Sequence, residues 1–337
     1  MQPKPRQLTL REAIDGVRVS AQVRCVDVYD LYCGAGGFTT GAFQAGHTVR
    51  LAVDSCAKAL ACHAANHPNT EHIQLSLGDA THDALLAKLP PAATESAPWH
   101  LHGSPPCQLL SKANGCGRRS DQWSKAMGHI AYYVRVVRET QPSGWTMEQV
   151  PHALVVQYCA QLRRAHPHLI DFDVFQMSEY GVCQNRKRLI AGSPHLLRNL
   201  RDQRDLTLRL RVADVCVNRP ADAIGVMTNS TSVGGKEKTQ RMRKAFSALQ
   251  RRRLPERRVK PGGLTGPAPC IISRGHIVWV GKEAKVLGTL DTRTLAVLQT
   301  FSRDYVWPKR CKQARKLIGG AIPPHFAKQM MRGYHVV

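Results

Sequence analysis

From Val26 to Ile190 the chain alternates short apolar runs with helical stretches, and this order constrains the fold more than any other feature. VDVYDLY, TVRLAV, HIQLSL, WHLHG and GWTMEQV are short, rich in apolar or β-branched residues, and bounded by Gly, Asp or Pro, so they predict buried strands. Helices are predicted between them, from Ala42 to the vicinity of Gly46, and over 57–65, 84–89 and 127–140. Strand–helix order at this spacing implies a mostly parallel sheet with helices on both faces. Sheets of that kind bind ligands at the carboxyl ends of their strands. From about Leu196 to Lys260 strand signals weaken and basic residues crowd in, as in KEKTQRMRK and QRRRLPERRVK. Pro261-Gly-Gly and Gly266-Pro close that stretch, and PCIISR with HIVWV predicts a hairpin around Arg274-Gly275. The basic stretch reads as an insert in one α/β domain, which occupies residues 20–195 and 262–337 around an insert at 196–261.

Charge narrows the partner. Lys and Arg number 48 against 24 Asp and Glu, a formal net charge of +24. A small neutral metabolite needs no such field, whereas a polyanion gains from it because each neutralised phosphate releases condensed counterions. An anionic membrane surface is the alternative, but no long apolar span and no basic amphipathic helix with a strong apolar face is evident. The 11 cysteines show no CxxC pair and no spacing that reads as a zinc site, so no metal is expected. The first residues, MQPKPRQLTLREAIDG, lack the apolar run of a signal peptide. These features predict an intracellular protein with reduced cysteines.

Four stretches carry chemistry. Asp30-Leu-Tyr-Cys-Gly-Ala-Gly-Gly-Phe38 follows the first strand, where glycines permit backbone conformations closed to other residues and a close ligand approach. Taken alone it is equally a tight turn with no ligand. The next strand ends at Asp54, where a carboxylate can grip ribose hydroxyls, and the third at Gly78-Asp79. Each acid singly reads as a helix cap, but two in succession suit a nucleoside-bearing cofactor. His102-Gly-Ser-Pro-Pro-Cys-Gln108 follows the fourth strand, and its prolines should stiffen the turn that presents Cys107. A basic environment there would lower the thiol pKa and favour the nucleophilic thiolate. Met147-Glu-Gln-Val-Pro151 ends the fifth strand and places Glu148 beside Cys107 if the two strands are neighbours. In Tyr180-Gly-Val-Cys-Gln-Asn-Arg-Lys-Arg-Leu189, strand alternation puts Arg186 and Arg188 on one side, two guanidiniums facing a carbonyl or phosphate.

These four elements, in this order, resemble the DNA cytosine-C5 methyltransferase family. Thr292-Arg-Thr-Leu-Ala-Val-Leu-Gln-Thr-Phe301 and Leu317-Ile-Gly-Gly-Ala-Ile-Pro-Pro324 are similar to its last two motifs, so the resemblance spans Val26 to Ile190 and Ala268 to Met331. It implies a Rossmann-like class I methyltransferase fold with a small basic target-recognition insert. It implies S-adenosylmethionine as cofactor, bordered by Tyr32, Gly34, Gly36 and Gly37. Asp54 would hold the ribose and Asp79 the adenine, with Pro106 at the cofactor–substrate boundary and Ala321 and Ile322 at the methionine end. Cys107 would be the nucleophile, Glu148 would engage N3 and the exocyclic amine of the target, and Arg188 its O2, supported by Arg186. Lys112 to Lys125 would close over the substrate.

The sequence departs from the pattern at several places. Glu148-Gln149-Val150 stands for Glu-Asn-Val, Gly319-Gly320 for Gly-Asn, Tyr32 for phenylalanine, and Leu110 for the phenylalanine two residues after Cys-Gln. Losing the two asparagines predicts weaker tethering of loops or cofactor. The implied partner is double-stranded DNA acted on by a monomer, in a nucleus or nucleoid. RNA as substrate, and a nucleic-acid-binding protein that has lost catalysis, stay open as alternatives.

Overall fold

The computed structural model describes residues 24–107, 110, 120–208, 210–216, 220, 221, 223, 225–229, 267–272, 276–280 and 286–334. Its centre is a seven-stranded sheet. In chain order the sheet strands are β1 (Asp27–Leu31), β2 (Thr48–Asp54), β3 (Glu71–Gln74), β4 (Trp99–Gly103), β5 (Gly144–Gln149), β6 (Asp171–Gln176) and β8 (Lys187–Gly192). The spatial order is β3-β2-β1-β4-β5-β8-β6, with β8 antiparallel to both neighbours and the remaining pairs parallel. This is the mostly parallel sheet with helices on both faces that the alternating pattern predicts, in the Rossmann-like arrangement that the family resemblance implies.

Helices cover both faces. Against one face lie α4 (Ser120–Thr140) and α5 (Ala153–Ala165), whose Ile130, Tyr133, Val137 and Val155 pack on Leu31, Leu101 and Met147. Against the other lie α1 (Gly37–Gln44), α6 (Pro194–Asp202) and α10 (Pro324–Met331), which bury Phe38, Leu197 and Phe326 with Val28 and Ile190. The remaining helices are α2 (Ala57–Asn66), α3 (His82–Leu86), α7 (Val212–Val215), α8 (Thr292–Leu298) and α9 (Cys311–Gly320). Both faces of β4 are buried, so its alternation separates Trp99 and Leu101 from His100 and His102, all four in the interior. Buried imidazoles need partners, a requirement that shapes the site below. Among the described residues, no helix is long and apolar enough to cross a membrane.

Four expectations change. The first helix begins at Gly37, five residues earlier than its apolar pattern suggests, because Gly36 enters it in the left-handed conformation. Residues 120–125 belong to α4, so only the earlier part of the expected closing segment can be a loop; residues 112–119 lie outside the described set. The expected insert boundary at Leu196 falls inside α6, whose Leu196, Leu197 and Leu200 are core residues. The predicted hairpin does not form. Residues 268–269 (β10) pair in parallel with Gln184–Asn185 (β7), while His276–Val280 (β11) pairs with Gly225–Asn229 (β9) and Val286–Thr289 (β12). A neighbour in sequence was outcompeted by a strand from inside the basic stretch. Most of that stretch, residues 230–266, lies outside the described residues.

Candidate active site

The turn after β1 is built from left-handed backbone. Tyr32, Gly34 and Gly36 have φ of 56°, 57° and 88°. For Tyr32, a side chain with a Cβ, that conformation costs about 1–2 kcal/mol and persists only where the surroundings impose it. The turn is anchored from β2, where Val53 O accepts from Cys33 N at 3.0 Å and Asp54 Oδ2 accepts from Gly34 N at 3.0 Å. Asp54 Oδ1 accepts from Cys56 N at 2.8 Å, so this carboxylate joins the glycine turn to the start of α2. Around Gly34 the space where a Cβ would sit holds no atom within 4 Å, whereas at Gly37 it would meet Ile322 O at 2.2 Å and Ala321 Cβ at 3.2 Å. The first glycine leaves room and the second permits contact with the C-terminal motif. Gly37, Ala321 and Ile322, far apart in sequence, are thereby brought together. The Tyr32 hydroxyl is buried without a hydrogen-bond partner. Asp79 lies in a 3-10 turn after β3, its side chain 88% exposed and paired with Arg135 at 2.9 Å.

The parallel strands β4 and β5 deliver Cys107 and Glu148 to the same end of the sheet. Cys107 is half-buried, Pro105 buried and Pro106 exposed. Glu148 is buried, and its Oε1 lies 2.7 Å from Arg188 Nε on the adjoining β8. The contact is ionic but not aligned as a hydrogen bond, which leaves both atoms without a hydrogen-bond partner. Arg188 Nη1 donates to Lys187 O at 2.8 Å. Burial and the Glu148 carboxylate push the Cys107 thiol above its ordinary pKa, and Arg188 and Arg186 pull it back. The basic surroundings therefore do not yield a low thiol pKa in the free protein, because desolvation and a neighbouring negative charge outweigh the arginines.

Arg186 departs from the alternation argument. Its N–H donates to Gln184 O at 3.0 Å, a tight turn that breaks the strand between β7 and β8, so a period of two does not carry across it. Its buried guanidinium donates to Ile271 O at 3.0 Å, Gly319 O at 3.3 Å and Ala321 O at 2.9 Å. It clamps the last motif to the segment after β10 rather than facing a ligand beside Arg188.

Of two further contributors, one departs from the expectation and the other was missed. Gln149, in the place of an asparagine, is fully buried, and its Nε2 donates to Pro105 O at 3.0 Å, so the turn bearing Cys107 remains tied. The weaker tether expected from losing the asparagine is therefore not seen at this turn. Cys270 sits with its sulfur 3.9 Å from Arg186 Nη1 and also interacts with Arg188. No sequence signal marked it.

A doubly wound sheet with one antiparallel strand, a glycine turn with open space after β1, a cysteine after β4 and a carboxylate near the end of β5 define a Rossmann-like methyltransferase. The sequence model described as C-5 cytosine-specific DNA methylase matches residues 26–207, more than half of the chain, and the chain belongs to that family. It is 26% identical over 307 residues to the Type II methyltransferase M.HgiDI of Herpetosiphon aurantiacus, covering 88% of this chain and 90% of that one. Identity to Type II methyltransferase M1.HphI of Haemophilus parahaemolyticus is 24% over 331 residues, covering 89% and 84%. Among solved structures, a chain assigned as a DNA modification methyltransferase encoded within an E. coli prophage superposes with a TM-score of 0.61 at 19% identity, covering 91% and 98%. The S. pombe Dnmt2 methyltransferase superposes with 0.57 at 13%, covering 90% and 96%. At those identities the structures attest the fold.

Proposed function

We propose that the protein methylates C5 of cytosine in duplex DNA through a covalent bond between Cys107 Sγ and C6 of an extruded base. The observation that carries this reading is the meeting of Cys107, Glu148 and Arg188 beside the glycine turn, with Glu148 Oε1 and Arg188 Nε both lacking a hydrogen-bond partner. Such atoms are ready for a polar ligand. Tyr32, Gly34, Gly36, Gly37, Asp54, Ala321 and Ile322 fit S-adenosylmethionine, given the open space over Gly34 and the unpartnered Tyr32 hydroxyl; Asp79 and Pro106 would complete its border. Bound there, that cofactor would supply the electrophilic methyl group.

The chain's own groups then have distinct tasks. The Cys107 thiolate adds to C6 and breaks the ring's aromaticity, which makes C5 enamine-like. Glu148 meets N3 and the exocyclic amine, and Arg188 meets O2. Preorganised contacts of this kind are typically worth a few kcal/mol. Engaging Glu148 with the base also weakens its repulsion of the thiolate, so the cysteine ionises most readily once substrate is in place. Arg186 supports the pair by holding the wall behind it. After methyl transfer a base, for which solvent water serves, takes the C5 proton; the freed electron pair re-forms the C5–C6 double bond and expels Cys107 as its thiolate.

Extruding the base costs a few kcal/mol, which phosphate contacts of the basic insert and of the segment before α4 would offset. The insert, beginning after α6, is the target-recognition region. One copy of the chain carries the full set of groups, so a monomer suffices, working inside the cell where its DNA lies. The test is an adduct that survives denaturation with DNA containing 5-fluorocytosine. It should form with the protein, be absent in Cys107→Ser, and accompany a fall in methyl transfer of about 10^4-fold or more in that variant. Equal adduct in Cys107→Ser would refute the reading, and transfer to tRNA in place of duplex DNA would redirect it to RNA.

A further inference from the structure

Behind Cys107 runs a buried string of side chains that the proposed chemistry does not use. Tyr334 Oη lies 2.6 Å from His100 Nδ1, and His100 Nε2 lies 2.9 Å from Thr146 Oγ1. The same Thr146 oxygen is 2.9 Å from His102 Nδ1, and His102 Nε2 is 3.0 Å from Ser104 Oγ. His100, His102 and Thr146 are fully buried. Strand register makes the string possible, because His102 on β4 is the direct partner of Thr146 on β5.

Proton counting fixes how the string works. Burial lowers the pKa of His102 to about 3 and that of His100 well below its ordinary value, so each ring is neutral and carries a single N–H. Thr146 has one hydroxyl proton for two imidazoles, so at least one ring donates its N–H to Thr146 Oγ1, while the other either donates as well or accepts the hydroxyl proton. Either way both nitrogens of His102 are committed, and its ring cannot turn without stranding a buried polar atom.

The outer end of the string is the turn that carries the thiol. Pro105 and Pro106 have no N–H, so the turn offers few points by which it can be held. Among the described residues they are Ser104 N to Leu31 O at 3.1 Å, Pro105 O from Gln149 at 3.0 Å, Cys107 O from Leu110 N at 3.1 Å, and the Ser104 hydroxyl on His102. The face of His102 is also occupied. Phe38, directly after the glycine turn, stacks on it with ring centroids 3.5 Å apart and planes 7° from parallel. One imidazole thus touches both the glycine turn's helix and the cysteine turn's serine.

We propose that His102 is a positioning residue: through Ser104 and Phe38, and braced by Thr146 and His100, it sets the Cys107 turn against the glycine-rich turn. The role rests on Cys107 being the nucleophile. Thr146→Val keeps the shape of the central link and removes its hydroxyl. It should lower kcat for methyl transfer about tenfold with KM for DNA and for S-adenosylmethionine unchanged, and slow iodoacetamide alkylation of Cys107 in the free protein by a similar factor across the pH profile. Thr146→Ser restores the hydroxyl and should return both rates to within twofold of wild type. Ser104→Ala cuts the string at its half-buried end, where folding is least at risk, and should reproduce the Thr146→Val losses. The positioning role is overturned if Ser104→Ala and Thr146→Val keep both rates within twofold of wild type, or if Thr146→Ser fails to restore them. Cys107→Ala, run alongside, separates the two readings. Turnover surviving in that variant removes the nucleophile assignment and this inference with it; a dead Cys107→Ala beside unaffected string variants removes the positioning role alone.

Discussion

The turns after β1 and β4 stand side by side on paired strands and solve opposite problems. The first must leave room. Its shape comes from three left-handed residues held by backbone amides, and space stays open above Gly34. The second must hold one sulfur still. Its shape comes from two prolines strapped down by Ser104, Gln149 and the imidazole of His102. Beneath each turn the strand buries a polar residue at matching register, Asp30 opposite His102. Here the two foundations differ. His102 has both nitrogens paired, whereas Asp30 is fully buried with Oδ2 accepting from Thr39 Oγ1 at 2.8 Å and Oδ1 unpartnered. The histidine under the proline turn has both polar atoms paired, whereas the aspartate under the glycine turn keeps one buried oxygen unpaired.

The largest effect should come from acid, which attacks what the two sides share. Buried neutral imidazoles underlie both: His63, lowered to about 2 by burial and by its neighbours His67 and His72, and His67, lowered to about 4, on the glycine side; His100 and His102 on the proline side; and His325, lowered to about 4, on α10. A histidine whose folded pKa is depressed adds stability that is complete above pH 6.5 and is lost as pH falls toward the folded value. Each such group contributes a slope of about 1.4 kcal/mol per pH unit in that window. Denaturant unfolding followed from pH 7.5 to 5 should show stability collapsing below about pH 6, with several protons taken up on unfolding. A flat profile would mean that these rings are not neutral and interior.

Asp30 has the opposite sign, which sharpens the contrast between the foundations. Burial raises its pKa to about 7, so the folded state holds a proton that the unfolded chain has released. Its penalty is absent below the unfolded value, grows as pH rises toward 7, and is complete above that. Asp30→Asn keeps an acceptor for Thr39 and should stabilise the protein at pH 8 by about 2–4 kcal/mol. It should also steepen the rise in stability between pH 4 and 7. Loss of stability at pH 8 would place an ionised, satisfied carboxylate at Asp30.

The smallest change in stability should come from Gly34→Ala. Its added Cβ meets no atom within 4 Å, so the cost is the left-handed backbone alone, about 1 kcal/mol. The same methyl fills the space assigned to S-adenosylmethionine, and calorimetric titration should show affinity falling tenfold or more. Undiminished cofactor affinity would remove the claim that this turn is shaped for a ligand.

The outline of the site was legible because its chemistry is carried at strand ends. An acid, a glycine run or a Pro-Cys pair directly after an apolar run is placed by the strand itself, whatever the neighbours. Thus Cys107, Glu148 and Arg188 could be read along the chain and lie together in the structure. Arg186 could not, because its direction depends on a break in the strand that alternation assumes away. The hairpin expected at residues 269–280 failed for a related reason, since pairing partners are chosen among all available strands and β9 was better placed than the adjacent segment.

The sequence by itself determined the class of sheet, the order of the motifs, the basic character and which candidate side chains stand at the strand ends, all of which follow from local period and residue chemistry. Only the tertiary structure decided that Gln149 holds Pro105, that Arg186 clamps the final motif, and that His100, Thr146, His102 and Ser104 form one string. Alternation states which face a strand residue occupies, but not which strand lies beside it. Hydrogen bonds between buried side chains exist only once that neighbour and its register are fixed.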